Sequence, residues 1–125
     1  MSVSNASVAM SVALSAGLLA GCSESTLSYQ ADIRPILEEN CYECHVVGGK
    51  GYEKSGFLID SYVGLMKGTK FGPVIVPESA VSSSLYLLVA GKTNASIQMP
   101  HDRSPLSEEK VVAIEAWIDQ GAKNN

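Results

Sequence analysis

The sequence predicts a small all-α domain, on three observations. Apolar residues recur at helical spacing in several short segments, most clearly after Ser107. Ser or Asp stands before these segments and Gly68, Gly91 and Gly121 stand after them, which are helix start and stop signals. No pair of segments reads as strands, because Val74-Ile75-Val76 is short and lies between Pro73 and Pro77. No internal repeat is present.

The first element is a leader. Residues 1–21 carry no charged side chain, and Val8 to Ala20 are all apolar or small. That run is too short to cross a bilayer, which takes about 20 residues, and has the length of a signal-peptide apolar region. It ends in Leu19-Ala20-Gly21-Cys22, which looks like a bacterial lipobox, where the Cys is diacylated and becomes the first residue. The region before it has no Lys or Arg, so only the terminal amine supplies positive charge. The expected division is a signal peptide over 1–21, a lipidated tether over 22–28 and one domain over 29–125. Signal cleavage without lipidation is the alternative, and an ordinary buried helix or a strand is a third reading with no amphipathic pattern behind it. All 13 acidic and 9 basic residues lie after residue 21, so the processed chain keeps the net charge of −4. A mildly acidic surface argues against a nucleic-acid partner.

The remaining elements follow in order. Tyr29 to Asn40 reads as a helix, with Asp32 available as a cap, Pro35 in its first turn, and Ile33, Ile36 and Leu37 on one face. Val46 to Ser55 reads as a Gly-rich loop. Asp60 or Ser61 can cap a short helix through Leu65-Met66-Lys67 that Gly68 stops. Lys70 to Glu78 contains Gly72-Pro73 and Val76-Pro77 and reads as extended loop. Ser82 to Val89 reads as a helix and Lys92 to Pro105 as a long polar loop. Ser107 caps the last helix, Glu108 and Glu109 sit on its positive dipole end, Val111, Ile114 and Ile118 share a face, and Gly121 ends it.

The chemistry lies in Cys41-Tyr42-Glu43-Cys44-His45, directly after the first helix. C-x-x-C-H reads as a c-type haem attachment site. The spacing brings both sulfurs to one side of a short turn for thioether bonds and leaves the imidazole of His45 pointing at the iron. The chain has 3 Cys, 2 His and 4 Met in all. With Cys41 and Cys44 used by the motif, Cys22 is left for the lipobox. Haem c is attached outside the cytoplasm, so the leader and the motif support each other. The candidates for a second axial ligand are Met66, Met99 and His101. Met99, in Gln98-Met99-Pro100, lies in the loop before the last helix, where a thioether can be lowered onto iron with Pro100 stiffening the backbone. Met66 sits beside Leu65 on an apolar face and reads as core, and His101 as an exposed loop residue. Met99 is preferred, with His101 and an open site as alternatives. Arg103 and Lys70 read as solvated charges that could reach haem propionates.

Taken together, these segments resemble a small monohaem class I c-type cytochrome domain of the planctomycete type. The resemblance rests on Asp32-Ile33-Arg34-Pro35-Ile36-Leu37, the haem motif, Leu58-Ile59-Asp60-Ser61, Gly72-Pro73-Val74-Ile75-Val76-Pro77, Gln98-Met99-Pro100, and Leu106-Ser107-Glu108-Glu109 through Trp117-Ile118-Asp119-Gln120-Gly121-Ala122. It implies an all-α fold with first and last helices crossing beside one covalent haem c. It also implies His/Met iron and one-electron transfer rather than catalysis. The expected partners are redox proteins and, through the lipid anchor, a membrane. The expected location is the periplasmic side of a membrane, the outer membrane being preferred because Ser23 is not an inner-membrane retention Asp; a soluble periplasmic protein is the alternative. A haem sensor or enzyme with an open or exchangeable sixth site is a second class of function. A zinc site from Cys41, Cys44, His45 and His101 is a third, disfavoured because adjacent Cys44 and His45 cannot easily reach one tetrahedral ion. A thioredoxin-like dithiol lacks the surrounding βαβ pattern.

Overall fold

A computed structural model describes residues 25–125. The leader over 1–21 and the lipidation candidate Cys22 lie outside the described residues. Among the described residues there is no strand, only one antiparallel bridge between Thr69 and Gly72. The all-α expectation holds.

The first helix opens as a π-helical turn, Tyr29–Ile33, and continues as α1, Arg34–Asn40. Pro35 lacks the N–H that an α-ladder would send to Ala31, and the turn before it is wound wider, with Arg34 N–H donating to Tyr29 O. Sequence reading offered Asp32 as the cap, but Ser28 caps the turn. Its hydroxyl accepts from Ala31 N–H at 3.1 Å, and the Asp32 carboxylate accepts from Ser28 N–H at 2.7 Å. Both residues satisfy orphan donors, from opposite sides of the helix start. Residues 25–28, read as tether, are fastened to the far end of the chain. Gln120 Oε1 accepts from Leu27 N–H at 2.8 Å, and Asn125 Nδ2 donates to Leu27 O at 3.1 Å.

α2 is the single turn Tyr42–His45, whose N-cap is Cys41. Sequence reading made 46–55 a loop; the structure places a helix, α3, over Lys50–Ser55. Three glycines in Gly48-Gly49-Lys50-Gly51 hide it, since Gly is a poor helix former. Tertiary bonds supply what propensity lacks: Lys70 N–H donates to Ser55 O at 2.8 Å, and Gly56 closes the helix at φ +71°. α4 covers Tyr62–Lys67, and Ser61 is the cap, its hydroxyl accepting from Gly64 N–H at 3.1 Å. Leu65 is buried there and Met66 packs half-buried against the core, as the apolar face predicts. α5 covers Ser84–Val89 after a 3-10 turn at Ala80–Ser82. α6 covers Glu108–Asp119 behind the expected Ser107 cap.

The core lies between the first turn, α4 and α6. Ile33, Leu37, Ile59, Leu65, Ile114, Trp117 and Ile118 have almost no exposed surface. The first and last helices meet through Tyr29 and Trp117, whose ring centres are 5.8 Å apart, and Tyr62 stands edge-on to Tyr29 at 5.1 Å. Both polar tips find acceptors, Trp117 Nε1–H at Lys123 O (3.0 Å) and Tyr62 O–H at Ala122 O (2.7 Å), as buried Tyr and Trp require.

Candidate functional site

The C-x-x-C-H turn is built by the chain's own hydrogen bonds. α1 ends as Cys41 N–H donates to Leu37 O at 2.8 Å, and His45 N–H then donates back to Cys41 O at 3.0 Å. This turn carries Cys41 and His45 to the wall of one apolar cavity of about 150 Å³. Leu37, Phe57, Ile59, Val74, Leu85 and Leu88 form most of the remaining wall.

Met99 reaches the same cavity from the other side of the sequence. Its N–H donates to Leu88 O at 3.2 Å, which ties the loop to the end of α5. The Met99–Pro100 peptide bond is cis. Leu88 and Met99 also line a second, more open cleft of about 740 Å³, together with His101, Arg103 and Val111. The structure thus brings together Cys41, His45 and Met99. Cys44 sits half-buried in the same turn but does not line the cavity. Met66 does not line it either. His101 is exposed and faces the open cleft.

His45 is held by its neighbours. Its Nδ1 lies 3.3 Å from Phe57 O, and the Phe57 ring stands edge-on at 5.2 Å. With the proton on Nδ1, Nε2 keeps its lone pair for a metal. Burial holds the His45 pKa below its ordinary value, partly offset by the Phe57 carbonyl, and His101 lowers it further. The imidazole is therefore neutral at pH 7, the form that ligates. Phe57 was not singled out in the sequence, and could not be: its contribution is a backbone oxygen, which every residue has.

Burial pushes the Cys41 thiol up to about 11, so as a free thiol it stays protonated and apolar. Arg103 turns its guanidinium to Glu43 in the middle of the motif, at 3.3 Å, and to Glu39 O at 3.5 Å. Lys110 of α6 also pairs with Glu39 and lowers that carboxyl below its ordinary value. Lys70 lies on the Phe71 ring, 5.2 Å from its centre. Among the described residues no three His, Cys, Asp or Glu side chains converge as a cation cage.

The residues present fit a haem. A neutral imidazole and a thioether line one apolar chamber with one of the two motif thiols, and these are the nitrogen and soft sulfur donors that haem iron takes. The chamber alone is below the ~300–1,000 Å³ of an ordinary ligand site, and the cleft sharing the Leu88 and Met99 wall is within it.

Residues 41–102 match a family model described as Planctomycete cytochrome C. No curated protein and no solved structure matches the chain. The match begins at Cys41 and runs past Met99, so it spans the haem motif, α2 to α5 and the Met-Pro loop. The chain therefore carries a planctomycete-type cytochrome c domain, and with it a haem-binding, electron-transfer role.

Proposed function

We propose that this protein is a one-electron carrier outside the cytoplasm, with one haem c bonded through Cys41 and Cys44 and ligated by His45 and Met99. The observation that supports it is the meeting of Cys41, His45 and Met99 on one apolar cavity, although Met99 comes from a loop far along the chain. A bound haem would supply the one-electron Fe(III)/Fe(II) couple. The chain supplies the rest. Phe57 O holds the Nδ1 proton of His45 and so keeps its ring orientation and its basicity. Leu88 O holds Met99 at the cavity wall. Leu37, Ile59, Val74 and Leu85 exclude water, which favours the less charged reduced state. Lipid anchoring at Cys22 belongs to the same reading and rests on the Leu19-Ala20-Gly21-Cys22 sequence.

The test is an alkaline pyridine spectrum and acid–acetone extraction of the purified protein. Haem c that resists extraction is expected. Full retention of haem in the Cys41→Ala/Cys44→Ala double variant would overturn covalent attachment.

A further inference from the structure

The geometry assigns Gly51 as the positioning residue for the His45 imidazole, an inference that rests on His45 being an iron ligand. Gly51 is the second residue of α3, in its first turn. It is not among the positive-φ glycines, so its backbone does not require glycine. Glycine is the poorest helix former after proline, so propensity gives no reason for it there. The surroundings explain it. A Cβ on Gly51 would lie 2.7 Å from His45 Cε1, 3.0 Å from His45 Nδ1 and 2.9 Å from Cys44 O. α3 therefore packs its bare backbone against one edge of the imidazole.

The same ring edge carries Nδ1, which faces Phe57 O at 3.3 Å. Phe57 stands edge-on to the ring at 5.2 Å. Gly51 and Phe57 together leave the ring one plane, and Nε2 is the nitrogen left free. A methyl at position 51 cannot share that space. The Cys44 carbonyl belongs to the motif turn and cannot move alone, so the ring must tilt and its Nδ1–H···O bond must lengthen. That bond makes the imidazole a more basic ligand. A more basic ligand stabilises Fe(III), so losing it raises the reduction potential. Sequence reading did not find this role, because a glycine in Gly48-Gly49-Lys50-Gly51 looks like loop.

Gly49 provides the comparison. A Cβ there would come within 2.5 Å of Cys44 O and 3.1 Å of Glu43 O but would meet no imidazole atom among its three nearest contacts. It crowds the same turn without touching the ring. The experiment uses the haem-loaded protein. In the reduced wild type, NMR should show a cross-peak between Gly51 Hα and His45 Hε1. Gly51→Ala should raise the reduction potential and shift the low-spin ferric EPR g-values, relative to Gly49→Ala and to the exposed helix control Lys54→Ala. If Gly51→Ala does not load haem, the wild-type cross-peak decides. Its absence overturns the assignment, as do equal potentials and g-values in Gly51→Ala and Gly49→Ala. Ferric NMR separates the two levels. Hyperfine-shifted His45 ring protons with no Gly51 effect overturn only the positioning role. Unshifted His45 protons overturn the ligand reading, and this one with it.

Discussion

Met99 and Met66 show how one residue type takes two places in the same chain. Both are half-buried and pack against the core, but only Met99 lines the cavity that His45 lines. On the ligation proposed above, Met99→Ala should open the sixth position: the far-red sulfur-to-iron band of the oxidised protein should vanish, the potential should fall, and imidazole should bind more tightly. Met66→Leu conserves volume and should cost under about 1.5 kcal/mol with no spectral change. A far-red band surviving in Met99→Ala and lost in Met66→Leu would reverse the roles; a band untouched by both would point to His101. Cys41 makes a pH prediction for the haem-free protein. Its thiol is raised from 9.0 to about 11 by burial. A raised thiol pKa adds stability that is full below pH 9 and is lost as pH climbs through about 11. The urea midpoint of the haem-free chain should fall over that window, and the fall should be smaller in Cys41→Ser.

Among the elements, the last helix carries most of the packing. Ile114, Trp117 and Ile118 are buried on its inner face, and Trp117 reaches Tyr29 of the first turn. Trp117→Ala should cost about 3–5 kcal/mol, read from denaturant unfolding, whereas Val112→Ala, half-exposed on the outer face, should stay near 0.5 kcal/mol. Ser107→Ala should cost about 1 kcal/mol, since its hydroxyl accepts from Lys110 N–H at 3.4 Å. This helix was legible because its cap, its first-turn acids and its apolar spacing all agree. α3 was not, since its glycines serve contacts with the haem turn rather than helix propensity. Asp32 and Ser28 show a finer miss. Each can start a helix, and only the folded chain tells which hydroxyl or carboxylate faces which N–H.

At the scale of the whole molecule, the two ends of the domain are hydrogen-bonded to each other through Leu27, Gln120 and Asn125. Among the described residues no helix is long and apolar enough to cross a membrane. Membrane attachment, as we propose it, falls to Cys22. Cys22→Ser should move the protein to the soluble fraction or leave the precursor uncleaved, as fractionation and intact mass would show; a mature wild type with unacylated Cys22 or a start at Ser23 would sink the anchor. The sequence by itself determined the C-x-x-C-H motif, because Cys41, Cys44 and His45 stand at a fixed local spacing that a short turn satisfies. It also determined the all-α class and the cap of α6, since those rest on contacts three or four residues apart, while it left the cap of α4 between Asp60 and Ser61. Only the tertiary structure decided that Met99 shares a cavity with His45, that Phe57 O faces Nδ1, and that Gly51 backs the ring. Those are contacts between distant segments, one of them made by a backbone oxygen and one by a missing side chain, and neither leaves a local pattern in the chain.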